Sequence, residues 1–132
     1  MTEPLTLILL PDHLAVCRFP ADAFPGEWPE WAISGELSAV LRSAEEVSVV
    51  CLHSLVPEGV LQEAGWRALK VKGPLPFSMV GVLASVADPL AKAGVSIFAL
   101  STYDTDYVLV KEAVLRQAVD ALCGAGHILV ES

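Results

Sequence analysis

The sequence predicts an α+β fold in which helices cover one face of an antiparallel sheet. The first observation is a β-hairpin pattern over residues 95–110, where two apolar, β-branched runs flank the polar connector 102–105. The second is that helical patterns of apolar residues stand on both sides of this hairpin. Each of these patterns ends at a glycine that precedes a further apolar strand.

The chain opens with two predicted strands, residues 5–10 and 14–19, separated by a proline and an aspartate. Three prolines and a glycine exclude a regular helix from most of residues 20–29, so we expect a loop with at most one helical turn. Trp28 and Trp31 are expected to cover the adjoining core, because tryptophan is costly to leave in water.

Residues 37–51 have two interpretations. Taken alone, residues 36–47 favour a helix, because good helix formers carry apolar residues at helical spacing. Residues 37–51 also match residues 96–110 at a constant offset of 59 (37 to 96), including the polar connector and the final β-branched run. An internal repeat outweighs local propensity, so we predict a strand over residues 37–42 and a hairpin partner over residues 47–52.

The repeat predicts two tandem halves, residues 1–64 and 65–132, of which the first is degenerate. The first half has room for a helix of only about two turns, over residues 57–64. Its connector reads Ser-Ala-Glu-Glu and lacks the aromatic residue and the Thr-Asp pair of the second half.

The second half predicts the order strand, helix, strand, strand, helix, strand. Strands are expected over residues 66–72 and 127–130, on either side of the hairpin and its two helices. The first helix ends at Gly94, and its predicted apolar face is Val80, Leu83, Ala84, Ala87, Leu90 and Ala91. The second covers residues 111–123, with Val114, Leu115, Ala118, Val119 and Leu122 on one face.

The composition predicts a partner chain and argues against several classes of partner. Hydrophobic residues make up 54% of the chain and the mean hydropathy is +0.56, so we expect a homodimer that covers the open face of the sheet. No apolar run is long enough to cross a bilayer, which predicts a cytoplasmic protein without a membrane partner. A net charge of −8 leaves no basic patch for nucleic acid.

The sequence predicts no metal, no cofactor and no catalysis. Cys17, Cys51 and Cys123 lie in apolar surroundings without close spacing, and are expected to be buried and inert. The three histidines are equally scattered. The sequence has no glycine-rich phosphate loop, no nucleophile elbow and no serine or cysteine beside an evident base.

The connector and the residue on each side of it, residues 101–106 together, hold more hydroxyl and carboxylate groups than a chain reversal needs. A turn whose side chains satisfy their own backbone explains it as well as a binding site does. The run GPLPFSMVGVLASVADPLAKAGVSIFALSTYDTDYVLV, residues 73–110, resembles the ACT domain. This ferredoxin-like βαββαβ module binds amino acids, and the resemblance extends to short tandem-ACT bacterial proteins, cytosolic arginine sensors and aspartate kinase regulatory domains.

The resemblance implies an amino-acid site at a domain interface, formed by the loop entering the first helix and by the end of the second strand. The matching residues are Gly73, Pro74, Leu75, Phe77, Val80, Gly81, Ser101, Thr102, Tyr103, Asp104, Thr105 and Asp106. Backbone N–H groups at the helix start, near residues 77–80, suit an α-carboxylate. Asp104 and Asp106 suit an ammonium or a cationic side chain, which favours a basic amino acid. The glycines are equally explained by loop and helix packing.

Two functions therefore stay open. One is a non-catalytic amino-acid sensor whose output passes through a change of domain or dimer contact. The other is a structural or protein-interaction module that keeps the ACT fold without its ligand. The first half lacks the connector groups, so no site is expected there.

Overall fold

The computed structural model describes residues 3–132 and contains eight strands and two α-helices in that range. In chain order these are β1 Thr6–Leu9, β2 Leu14–Pro20, β3 Ala39–Arg42, β4 Glu46–Leu52, β5 Gln62–Val71, α1 Val82–Lys92, β6 Ile97–Ser101, β7 Asp106–Lys111, α2 Leu115–Gly124 and β8 Ile128–Glu131. The predicted α+β class is confirmed. Neither helix in residues 3–132 is long and apolar enough to cross a bilayer.

The chain forms two compact units that interleave in sequence. We call them the helical unit, which consists of the chain up to Pro11 and Arg67–Ser132, and the strand unit, Asp12–Trp66. Strand β5 contributes its first residues to the strand unit and its last residues to the helical unit. Tandem halves that meet between residues 64 and 65 stay a prediction.

The helical unit has the predicted order of strands and helices, β5-α1-β6-β7-α2-β8. Its sheet order is β8-β1-β5-β7-β6, so the N-terminal strand lies inside it. Strand β1 is antiparallel to β5, with Leu7 opposite Val71, and parallel to β8, with Leu7 opposite Leu129.

Both helices of the helical unit pack on the same face of its sheet. The core there is built from Leu7, Leu9, Leu69, Val71, Val82, Val86, Leu90, Val95, Val108, Val110, Ala118 and Leu122. The two helices supply Val82, Val86 and Leu90 from α1 and Ala118 and Leu122 from α2. This confirms the layer arrangement that the sequence predicts.

The predicted apolar face of α1 is partly wrong. The helix begins at Val82, two residues after Val80, and buries Val82, Val86 and Leu90 at a spacing of four. Val80 is 86% exposed and Leu83 is 38% exposed. The error arises because apolar residues, many of them alanine, stand on several sides of this helix and leave its phase ambiguous. The second helix also starts later than predicted, at Leu115, after a 3-10 turn.

The strand unit has the order β5-β2-β4-β3, and its β3–β4 pair confirms the hairpin that the repeat predicts. The helical interpretation of residues 36–47 is wrong. The pairing from Ala39↔Val50 to Arg42↔Val47 recurs from Phe98↔Leu109 to Ser101↔Asp106 at the offset of 59 (39 to 98). The turn hydrogen bonds also recur: the N–H of Ser43 donates to the carbonyl of Glu46 at 2.9 Å, and that of Thr102 to Thr105 at 2.9 Å.

The strand unit contains no α-helix, and every one of its residues is described. The helix predicted over residues 57–64 is wrong, because a 3-10 turn at His53–Leu55 is followed by an irregular stretch and then β5 at Gln62. Aromatic side chains cover the sheet instead: Phe19, Phe24 and Trp31 pack on the core around Val47 and Val49. Trp31 thus covers the core as predicted, and Trp28 contacts Phe24 at its margin.

Two of the three cysteines are buried as predicted. Burial raises the pKa of the Cys51 thiol to about 12, with a further contribution from the adjacent Cys17. Burial also raises the pKa of Cys17. Both thiols are therefore protonated and poor nucleophiles at neutral pH. The prediction is wrong for Cys123, which is exposed because it lies off the face of α2 that carries Ala118 and Leu122.

Candidate functional site

The connector between β6 and β7 closes a turn that satisfies its own backbone. Thr102 accepts the N–H of Thr105 on its hydroxyl at 3.3 Å, and the N–H of Thr102 donates to the carbonyl of Thr105 at 2.9 Å. The Thr105 hydroxyl donates to the carbonyl of Val71 at 2.5 Å and is buried. These two threonines therefore build the turn, as its composition allows.

The two aspartates of the connector differ in their partners. The carboxylate of Asp106 accepts a hydrogen bond from the Ser101 hydroxyl at 2.6 Å across the strand pair. Asp104 is exposed, and its backbone carbonyl accepts the N–H of Leu75 at 2.7 Å. Its carboxylate has no hydrogen bond or ion pair with any residue from 3 to 132. Asp104, and in part Asp106, can therefore receive a cation.

The loop that enters α1 runs close to the connector. A Cβ atom at Gly73 would lie 3.0 Å from the carbonyl oxygen of Asp104, so the glycine permits this approach. Gly81 precedes the helix with a φ of 80°, a conformation that favours glycine. The helix begins at Val82, so the prediction of a helix start near residues 77–80 is wrong: the loop continues through these residues.

An aromatic ring from the loop contacts an aromatic ring from the connector. The rings of Phe77 and Tyr103 lie edge to face, with centroids 4.5 Å apart at an angle of 79°. Phe77 is 74% exposed and Tyr103 is 78% exposed. Leaving this much aromatic surface in water is unfavourable, so the pair is suited to cover a ligand or to meet another protein surface.

Loop and connector line an open surface cavity of about 230 Å³, here named the hairpin cavity. It is lined by Leu75, Pro76, Phe77, Met79, Val82, Ser101, Thr102, Tyr103, Asp104, Thr105 and Asp106. Eight of the twelve predicted site residues are among these. Pro76, Met79 and Val82 were missed, although their positions within the same loop and helix start are the signal that could have found them.

The other four predicted residues lie elsewhere. Gly73 and Pro74 line a neighbouring cavity of about 260 Å³, here named the lysine cavity, together with Lys70, Thr102, Asp104, Thr105 and Tyr107. Gly81 lines a third cavity between α1 and the start of β8. Val80 projects into solvent and lines none of the three. The predicted set is thus divided among separate surfaces.

All the charged side chains that line the hairpin cavity are negative. Asp104 and Asp106 are its two carboxylates, and no lysine, arginine or histidine lines it. Its remaining surface is apolar or hydroxylic. Within residues 3–132, no group of three His, Cys, Asp or Glu side chains could hold a metal ion. The arrangement can therefore bind an organic cation that has an apolar stem.

A family model described as the ACT domain matches residues 61–124, which include the loop, the connector and both helices of the helical unit. Residues 61–124 form an ACT domain. This assignment confirms the resemblance that residues 73–110 carry. It also places the hairpin cavity inside the matched region of the ACT domain.

Several known proteins are similar to this ACT-domain chain. Protein Atu0741 from Agobacterium tumefaciens is 33% identical, with a TM-score of 0.90 over 99% of this chain and 96% of that one. The human cytosolic arginine sensor for mTORC1 subunit 1 is 36% identical over 58 residues, which are 43% of this chain and 18% of the sensor. The regulatory subunit of aspartate kinase from Thermus thermophilus shares the fold, with a TM-score of 0.56 at 13% identity over 86% of this chain and 93% of that one.

Proposed function

We propose that this ACT-domain protein is a non-catalytic, cytoplasmic sensor that binds an amino acid with a cationic side chain in the hairpin cavity. The observation that carries the proposal is the pair of carboxylates, Asp104 and Asp106, in a cavity that no cationic side chain lines. Such a cavity attracts an ammonium or guanidinium group and repels an acidic side chain.

The cavity also offers groups for the rest of an amino acid. Val82 lines it and is the first residue of α1, a helix without a side-chain cap, so backbone N–H groups in its first turn can receive an α-carboxylate. Phe77 and Tyr103 provide apolar surface for the aliphatic stem. A volume of about 230 Å³ is below the usual range for drug-sized ligands and fits a small metabolite.

Two of the related proteins support regulation over catalysis. One is described as a cytosolic arginine sensor, and the other is the regulatory subunit of a kinase. The sequence match covers only 18% of the arginine sensor, so its activity and partners do not extend to this chain. The charge of the hairpin cavity nevertheless leads independently to the same class of ligand, a basic amino acid.

Arginine and lysine are expected to raise the melting temperature of the wild-type protein in a concentration-dependent manner, because a ligand that binds only the native state stabilises it by mass action. Asp106→Asn should remove about 1.5 to 3 kcal/mol of that ligand stabilisation by deleting the charge-assisted contact. The unliganded variant should change little, because the asparagine oxygen can still accept the Ser101 hydroxyl. Thermal shift and titration calorimetry measure both quantities.

The matched control is Glu46→Gln in the strand unit. The Glu46 carboxylate also accepts a serine hydroxyl, from Ser48 at 2.9 Å, but belongs to the degenerate copy of the connector. Equal loss of arginine binding in Asp106→Asn and Glu46→Gln would show that the site is misplaced. Citrulline, which lacks the positive charge of arginine, should bind more weakly. Stabilisation by glutamate but not by arginine would contradict the charge argument.

A specific observation also favours the alternative function, a protein-interaction module without a ligand. Phe77 and Tyr103 are highly exposed and contiguous, which is the composition of a contact surface. The thermal-shift measurement with amino acids distinguishes the two functions. If none of the twenty amino acids stabilises the protein, the interaction module becomes the better account of this surface.

We further propose a homodimer. Ile128 and Val130 project from the same face of β8 and are 56% and 42% exposed. Within the described chain β8 pairs only with β1, so it leaves one strand edge free. Sedimentation velocity should therefore show a dimer at tens of micromolar, and Ile128→Lys should shift it toward monomer. A wild-type monomer at that concentration contradicts the proposal.

A further inference from the structure

The loop that joins β2 to β3, residues 21–38, is here named the tryptophan loop. It contains no lysine, arginine or histidine, and its four carboxylates are those of Asp22, Glu27, Glu30 and Glu36. All four residues are exposed. None of them forms an ion pair with any residue from 3 to 132. The tryptophan loop therefore presents a surface of uncompensated negative charge.

An exposed aromatic ring stands among these carboxylates. Trp28 directly follows Glu27 and precedes Glu30 by two positions, and it is 37% exposed. Its ring contacts that of Phe24, with centroids 6.0 Å apart at an angle of 68°. Phe24 in turn packs on Phe19, with centroids 4.9 Å apart. The core aromatic cluster thus supports the Trp28 ring, and part of the ring stays open to a partner.

The tryptophan loop is held in place before any partner binds. Pro25 and Pro29 fix the backbone φ angle on either side of Trp28. Trp31 lies in a 3-10 turn and packs on the core of the strand unit. A surface that is already ordered loses little conformational freedom on binding, which favours association.

We propose that the tryptophan loop docks a cationic, arginine-containing segment of a partner protein. A guanidinium can stack on the exposed part of the Trp28 ring while it pairs with the carboxylate of Glu27 or Glu30. A guanidinium of this chain already reaches the loop, because Nε of Arg42 donates to the carbonyl of Ala21 at 3.0 Å. Tryptophan and arginine are also the side chains that most often dominate the energy of protein interfaces.

A second copy of this chain fits the tryptophan loop less well than a basic partner does. The chain has a net charge of −8, and the loop of a second copy is equally acidic, so contact between two such loops is repulsive. The loop also lies outside residues 61–124, which the ACT-domain model matches. This inference therefore goes beyond the proposed function and does not depend on an amino-acid ligand.

The test uses the full chain and a short blocked peptide of alternating arginine and glycine, with binding measured by titration calorimetry at low and physiological salt. Trp28→Ala should weaken peptide binding about tenfold by removing the ring. Glu27→Gln combined with Glu30→Gln should weaken it about fivefold and reduce its salt dependence, because exposed ion pairs are individually weak and are screened by salt. The same peptide with glutamate in place of arginine should not bind.

The controls are Trp28→Phe and Asp106→Asn. Trp28→Phe keeps an aromatic ring and should retain binding within about threefold, so it separates loss of the ring contact from loss of the fold. Asp106→Asn changes the hairpin cavity and should leave peptide binding unchanged. Conversely, Trp28→Ala should leave the thermal shift produced by free arginine unchanged.

Four results would overturn the inference. The arginine peptide might fail to bind at millimolar concentration, or the glutamate peptide might bind equally well. Asp106→Asn rather than Trp28→Ala might abolish binding, which would place the peptide in the hairpin cavity. Trp28→Ala might convert a dimer into a monomer, which would assign the surface to a second copy. In each of these cases the thermal shift with free arginine still decides the proposed function by itself.

Discussion

Leu90→Ala is expected to lower the free energy of unfolding by about 3 kcal/mol. Leu90 is fully buried in the core between α1 and the sheet, so its truncation removes apolar contacts and leaves a cavity. Urea unfolding should show a lower midpoint at an unchanged m-value, since the surface exposed on unfolding hardly changes.

The control for this prediction is Leu83→Ala on the same helix. Leu83 is 38% exposed, so its loss should cost no more than about 1 kcal/mol. The sequence pattern placed both leucines on one buried face, whereas the structure separates them. Equal destabilisation by the two substitutions would show that the helix is rotated from its position in this structure.

His127→Leu is expected to cost about 2 to 4 kcal/mol of stability, because His127 satisfies two backbone groups from separate segments. Its Nδ1 accepts the N–H of Leu5 at 3.1 Å, and its Nε2–H donates to the carbonyl of Ser85 at 2.9 Å. The second bond has a clear origin. Pro89 has no N–H, so the Ser85 carbonyl four residues earlier lacks its helical donor, and the histidine replaces it.

A double-mutant cycle tests this account of His127. Pro89→Ala restores an N–H that can donate to the Ser85 carbonyl within the helix. In that background His127→Leu should cost less, by about 1 kcal/mol, because only the Leu5 N–H is then left unsatisfied. Chemical denaturation of the four proteins gives the coupling. A cost that is the same in both backgrounds would contradict the link between Pro89 and His127.

Strand β3 could be predicted from the sequence because the internal repeat outweighed the helical propensity of its residues. Residues 39–42 have helical composition, and only their match to residues 98–101 predicts the strand that is observed. The phase of α1 could not be predicted in the same way, because its alanines and scattered apolar residues fit more than one buried face. Packing against the sheet selects Val86 over Leu83.

The part of the candidate site that is contiguous in sequence could be predicted, and the part that tertiary contacts bring together could not. Residues 101–106 are contiguous, so their spacing alone brings the two aspartates together. The path of the loop is different, because whether Gly73 or Val80 reaches the connector depends on tertiary contacts that no short-range pattern encodes. Lys70 is one of three charged residues in β5, and nothing in the sequence indicated that it lines a cavity. His127 likewise depends on a proline in another element.

The insertion of β1 between β5 and β8 has a consequence for how the protein is made. The helical unit is built from two separate segments of the chain, one up to Pro11 and one from Arg67 onward. The strand unit is the single continuous segment between them. During translation, every residue of the strand unit is synthesised before α1 and the β6–β7 hairpin. The partners of β1, which are β5 and β8, are also synthesised after most of the strand unit. The hairpin cavity, which is lined by residues between 75 and 106, is therefore synthesised only after the whole strand unit, so the strand unit can fold before the candidate site exists.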